Sequence, residues 1–260
     1  MPEVVVTEIS ERIGTITLNR PEARNALSSE VIRGLPAALA AMEADDGVDV
    51  VILTGADPAF CAGLDLKELG SRGTNLSADD GTVDADGVRT PFGPRSKPLI
   101  GAVNGPAVTG GLELALKCDL LVASERARFA DTHARVGVMP GWGLTVLLPQ
   151  AVGVRRAREM SLTGNYVDAQ TALVWGLVNH VVPHDELLAF TRSLAADIVG
   201  NDQASVRRLG QIYDEVTSTT VGEGLRIEAR HSRDWARAHV TPQGVEARRA
   251  AIVERGRGQL

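Results

Sequence analysis

The chain has 260 residues, 44% hydrophobic and 23% charged, with a formal net charge of −6 and a pI near 5.4. That size admits one large domain or a core with an appendage, the composition argues against disorder, and the acidic balance removes any general attraction to nucleic acid or anionic lipid. Aromatic residues make up only 3%, so aliphatic side chains and alanine must fill the interior. Cys61 and Cys118 are too few for a disulfide framework and have no Cys or His at metal-ligand spacing, so no metal site is expected and a reducing cytoplasm fits best. The opening MPEVVVTEIS carries acids where a signal peptide would be basic, and no apolar run approaches the ~20 residues of a membrane span. The expectation is a cytoplasmic protein with no nucleic-acid or membrane partner.

In chain order, EVVVTEISERIGTITLNR alternates apolar and polar residues on both sides of a charged turn, with Val4, Val6 and Ile9 before it and Ile13, Ile16 and Leu18 after it. That pattern predicts a β-hairpin. SSEVIRGLPAALAAMEADD has helical spacing and a serine start signal, with Pro36 a predicted irregularity. DVVILTG, Asp49 to Gly55, is a short continuous apolar run ended by glycine, as a parallel strand buried on both faces requires.

Ser71 to Lys97, rich in Gly, Asp, Thr and Pro, reads as an extended loop. KPLIGAVNG then repeats the buried-strand pattern, GGLELALKCD predicts a helix opened by glycines, and LLVASE and ARFAD predict strands. Helical patterns dominate from VGVRRAREMSLTG onward, broken by a last short strand around Val178 to Val182. This succession predicts a layered α/β core followed by a helical appendage.

Two glycine-containing turns follow buried strands: AFCAGLDL after Asp49 to Gly55, and GPAVTGGLEL after Leu99 to Val103. If they meet, they supply two N–H donors to one oxygen, which is an oxyanion hole; otherwise they are ordinary strand-to-helix turns. Glu113 lies on the first turn of its helix and is open to two readings, a charge favoured by the helix dipole or an acid–base group beside a polarised carbonyl. His133 follows Asp131 by two positions, which puts both on one face if that segment is extended. It is either a structural histidine or a proton donor and acceptor.

Arg24, Lys67 and Arg72 are either candidates for phosphate contact or simply solvated surface cations, and Trp142 in PGWG either walls a pocket or fills core. The chain has no G-x-S-x-G elbow, no P-loop and no H-E-x-x-H, and GWGLTV holds only two of the three glycines of a dinucleotide fingerprint.

Taken together, TITLNRPEARNAL, VVILTGADPAFCAGLDLKEL, KPLIGAVNGPAVTGGLELALKCDLLVASERARFAD, VGVMPGWG and SLTGNYVDAQTALVWGLVNHVVP resemble the enoyl-CoA hydratase/isomerase (crotonase) superfamily nearly end to end. The resemblance implies an α/β fold, a spiral of ββα turns in residues 1–200, with a C-terminal helical trimerisation region in 201–260. It also implies homotrimers or homohexamers built as paired trimers.

It further implies an acyl-CoA substrate, with no cofactor required beyond the coenzyme A of that thioester. Leu64 in CAGLD and Gly110 in TGGLE would hold the thioester oxygen, and Arg24, Ala62, Asp65 and Leu66 would join them in contacting the ligand. Family hydratases share a water between two glutamates. Glu113 matches the first, the second falls at His133, and the turn that helps position the water matches Pro140 and Gly141.

Three readings follow. The chain is an enoyl-CoA hydratase adding water across the 2,3 double bond; or it catalyses another crotonase-fold reaction, as a dehydratase, hydrolase or decarboxylase; or it binds acyl-CoA without turnover.

Overall fold

The computed structural model describes residues 3–72, 83 and 87–258. Of the segment Ser71 to Lys97, expected as an extended loop, residues 73–82 and 84–86 lie outside that description.

The chain opens with the expected hairpin, β1 (Val5–Ser10) paired antiparallel with β2 (Ile13–Leu18). Glu11 and Arg12 at its tip both have positive φ, the backbone that matches a two-residue turn to the twist of its strands. Helix α1 (Ser29–Ala44) starts where the Val31 N–H donates to Ser28 Oγ, and it continues through Pro36. The irregularity expected there does not end the helix, because Val31, Leu35, Leu39 and Met42 keep one buried face along its whole length.

At the far end of α1, the ammonium of Lys97 donates to the carbonyls of Met42 (2.7 Å) and Asp45 (2.6 Å), with the side chain only 2% exposed. A cation at a helix C-terminus meets both the dipole and the orphan carbonyls. Lys97→Met keeps the aliphatic stem and removes the donors. It is expected to lower the unfolding free energy by about 1–3 kcal/mol in a urea titration, the cost of leaving buried acceptors unpaired.

Strand β3 (Val50–Gly55), α2 (Leu66–Arg72), β4 (Leu99–Val103), β5 (Pro106–Val108), α3 (Gly110–Leu116), β6 (Leu120–Ser124) and β7 (Arg128–Ala130) come next. After them the chain forms α4 (His133–Val136), α5 (Leu144–Val152), α6 (Val154–Thr163), β8 (Val167–Asp168), α7 (Ala169–Trp175), β9 (His180–Val182), α8 (Leu187–Val199), α9 (Gln203–Thr217), α10 (Val221–His239) and α11 (Pro242–Gly258).

Among the described residues, one sheet has the order β1-β2-β3-β4-β6-β9 and is parallel from β2 onward; a smaller one has the order β5-β7-β8. In the small sheet β7 falls in ARFAD, as expected, whereas β5 and β8, of three and two residues, are too short to show a period. The last strand is likewise shorter than expected.

All six residues of β3 are buried, because both faces of the large sheet are covered. Val51 and Leu53 join the main core with α1 residues, while Val50 and Ile52 pack with Ile100, Val122, Leu187 and Ala195, the last two from α8. That is why DVVILTG reads as a continuous apolar run.

Residues 1–206 form one compact unit and 207–260 another. Within the second, buried His231 of α10 meets Glu215 of α9, with Nε2 and Oε2 3.0 Å apart. No helix among the described residues is long and apolar enough to cross a membrane.

Candidate active site

The first turn is built by residues well upstream of it. Asn25, fully buried, accepts from the Arg20 N–H (2.8 Å) and donates to the carbonyls of Ala56 (2.7 Å) and Ala59 (2.6 Å). The Arg20 guanidinium donates to the Ala26 carbonyl (2.7 Å) and to Asp65 Oδ2 (2.9 Å). The Leu27 N–H donates to Gly63 O (2.8 Å), and the Asp65 N–H to Leu27 O (3.1 Å). These bonds grip the chain on both sides of Leu64. Among the described residues no backbone carbonyl accepts from the Leu64 N–H or the Gly110 N–H.

The second turn lies against the first. Gly63 has φ +85°, and a Cβ there would sit 2.7 Å from Val108 O and 3.4 Å from Gly110 N. Only glycine allows both the conformation and the approach. Thr109, between the turn and α3, holds φ 55° and ψ −113°, a strained backbone for a β-branched residue. Its N–H donates to Ala130 O (2.9 Å), and its hydroxyl lies 2.5 Å from that of Thr132. Gly110 therefore starts α3 with one of the orphan N–H groups of a helix N-terminus, and Glu113 lies one turn on.

Glu113 is 4% exposed. Its Oε1 accepts from the Trp142 N–H (2.8 Å) and the Leu144 N–H (3.4 Å), which leaves Oε2 facing His133 Nε2 at 3.7 Å. His133, 5% exposed, has Nδ1 2.6 Å from Asp131 Oδ1, and the same oxygen accepts from the His133 N–H (3.1 Å). The segment between the two residues is not extended, so the condition for a shared strand face is not met. Asp131 lies just beyond β7 and caps the turn into α4, so its side chain reaches His133 by folding back on the backbone.

Burial pushes the Glu113 carboxyl above its ordinary value, against the Trp142 N–H and the neighbouring imidazole. Burial also opposes the Asp131 charge, but hydrogen bonds from His133 and Ser161 outweigh it and hold that pKa below the usual carboxylate value.

Leu64, Gly110, Glu113, His133 and Gly141 all line one cavity of about 40 Å³, together with Arg89, Met139 and Trp142. Such a volume takes about one water molecule. The five residues expected to act in catalysis are thus brought together. Trp142 is both core and wall, since it is buried and its ring lies 3.7 Å from where a Gly110 Cβ would stand.

Arg89 and Met139 were missed. Arg89 sits in the segment without periodicity, where no sequence signal marks a wall residue. Of the expected ligand contacts, Arg24 is exposed and its carbonyl accepts from the Ala62 N–H (3.0 Å), Asp65 is paired with Arg20, and Leu66 is 56% exposed at the start of α2. None of these, nor Ala62, Lys67 or Pro140, lines the cavity. The Arg72 side chain lies outside the described part. No group of three or more His, Cys, Asp or Glu side chains among the described residues is arranged to hold a metal ion.

A family model for enoyl-CoA hydratase/isomerase matches residues 8–251. The chain is 38% identical over 235 residues to "Probable enoyl-CoA hydratase 1, peroxisomal" of Arabidopsis thaliana, covering 89% of this chain and 86% of that one. It is 39% identical over 229 residues to "Probable enoyl-CoA hydratase" of Rhizobium meliloti, covering 88% of each. A crystal structure of enoyl-CoA hydratase from Mycobacterium smegmatis aligns with a TM-score of 0.75 at 52% identity, over 90% of this chain and 99% of that one. One from Bacillus anthracis aligns with a TM-score of 0.84 at 29% identity, over 95% and 96%. The chain therefore has the crotonase fold and belongs to the enoyl-CoA hydratase/isomerase family.

Proposed function

We propose that the protein is an enoyl-CoA hydratase that adds water across the 2,3 double bond of a 2-enoyl-CoA thioester. The observation that carries this reading is the single cavity shared by Leu64, Gly110, Glu113, His133 and Gly141. The thioester oxygen accepts from the Leu64 and Gly110 N–H groups, which draws electrons from C3 and stabilises the enolate formed on attack; a donor of this kind contributes about 3–4 kcal/mol in the transition state. Water between Glu113 Oε2 and His133 Nε2 gives its proton to Glu113 as its oxygen bonds to C3. The imidazolium of His133 gives a proton to C2, and the enolate collapses to the 3-hydroxyacyl thioester.

After this step the glutamic acid and neutral imidazole face each other across 3.7 Å. One proton passed between them over a water restores the starting state. The step needs no cofactor besides the coenzyme A that the substrate carries. A homotrimer or homohexamer belongs to the same proposal, supported by the family membership, and a reducing cytoplasm by two cysteines that remain free thiols.

The test is loss of the conjugated enoyl-thioester absorbance when the protein meets crotonyl-CoA and a longer 2-enoyl-CoA. His133→Ala is expected to slow that loss ~10²-fold with acyl-CoA still bound, the usual contribution of one acid–base partner. Full activity in His133→Ala would remove His133 from the mechanism. Binding without hydration in the parent would overturn the hydratase reading in favour of another acyl-CoA reaction or a binding protein.

A further inference from the structure

Beside the ring of His133 the mechanism leaves a buried carboxylate unused. Asp131 is 1% exposed, and its Oδ1 receives both the ring Nδ1 of His133 at 2.6 Å and the His133 backbone N–H at 3.1 Å. Its side chain is also bonded to Ser161 of α6. A carboxylate accepts but does not donate, so the short contact at Nδ1 requires the proton to lie on that nitrogen. The other ring nitrogen then points across the cavity to Glu113 Oε2. The charged and titratable groups around the ring are Asp131 from its own turn, Glu113 from α3 and Arg89 from the cavity wall.

We propose that Asp131 is the positioning residue of the site: it keeps a proton on His133 Nδ1 at every stage, so that the only proton His133 gains or loses is the one on Nε2, inside the cavity. Free imidazole has two tautomers, one of which would turn a donor toward Glu113 when neutral and leave no acceptor for the returning proton. Asp131 removes that state. It also stabilises the imidazolium needed to protonate C2, and its two bonds to one residue fix the ring plane. In the step itself the Nε2–H bond breaks as the C2–H bond forms from the enolate electron pair, while the Nδ1–H bond to Asp131 stays intact throughout. The Asp131–His133 couple thus stands where the family pattern has a second glutamate.

This assignment rests on His133 acting in the hydration reading, but its first readout does not. In protein labelled with ¹⁵N in the histidine rings, a pH titration of the unaltered chain is expected to show His133 Nδ1 protonated throughout, with only Nε2 changing state. A neutral His133 carrying its proton on Nε2 would overturn the proposal.

In Asp131→Asn, kcat on a 2-enoyl-CoA is expected to fall ~10–10²-fold with KM little changed, since a misplaced proton affects the transition state more than binding. An Asp131→Asn protein with the parent's kcat would also overturn it. If the parent hydrates no 2-enoyl-CoA, the hydratase reading falls alone, and the ring spectrum of the parent still decides the role of Asp131.

Discussion

Glu113→Gln is expected to cut hydration of crotonyl-CoA by ~10³–10⁴, because one side chain is asked both to take the water proton and to hold the water in line. Glutamine keeps an oxygen for the N–H groups of Trp142 and Leu144 that now meet Oε1, so the fold around the site has no reason to move. The variant should therefore still bind acyl-CoA. Burial raises the Glu113 pKa, so its contribution to stability is present below the ordinary glutamate value and fades as pH rises through the shifted one. Glutamine has no charge to lose. At neutral pH the variant is accordingly expected to unfold at the same urea concentration as the parent or a higher one, the two converging in acid. A variant that hydrates as fast as the parent would reduce Glu113 to a charge at the start of a helix.

Gly111→Ala should be the most damaging single methyl group in the chain's active region. A Cβ at that position would lie 2.1 Å from the Cys61 carbonyl oxygen and 2.8 Å from both the carbonyl carbon and the Cβ of the same residue. Cys61 cannot retreat easily, because its N–H donates to Pro106 O (3.1 Å) and its own carbonyl accepts from Val108 N–H (2.9 Å). The two glycine turns would have to part. A loss of more than about 3 kcal/mol is expected in urea unfolding, beyond the usual range for overpacking because backbone rather than side chain must yield. Gly210→Ala is the matched control: it lies inside α9 with nothing within 4 Å, and it should gain about 0.5–1 kcal/mol from helix propensity. If Gly111→Ala unfolds like the parent, the turns are not packed as described.

The elements that sequence made legible are those with a long enough period or a clear terminator. Strand β2, helix α1 and the runs at β3 and β4 qualify, since each buries one or both faces over five residues or more, while β1, with only Val5 buried, is placed by its pairing with β2. Strands β5 and β8 do not; three and two residues carry no period, and their place is set by neighbours such as β7 rather than by their own pattern. In the site, the glycines announced where backbone must come close, and Glu113 stood out as an acid in an apolar run. The spacing of Asp131 and His133 marks the pair but not its geometry, because a side chain folding back at a helix start has the same two-residue offset as a strand. Arg89 gave no sign, because the sequence around it shows no period.

The N–H groups proposed to hold the carbonyl oxygen, those of Leu64 and Gly110, belong to the main chain. Short of proline, no substitution at either position deletes an N–H, whereas every proton-moving group in the cavity is a side chain that one codon can exchange. What such a protein grips and what it does to it are thus separately heritable. Under the proposed mechanism, a lineage can try new reactions at position 133 without first surrendering its hold on a carbonyl oxygen.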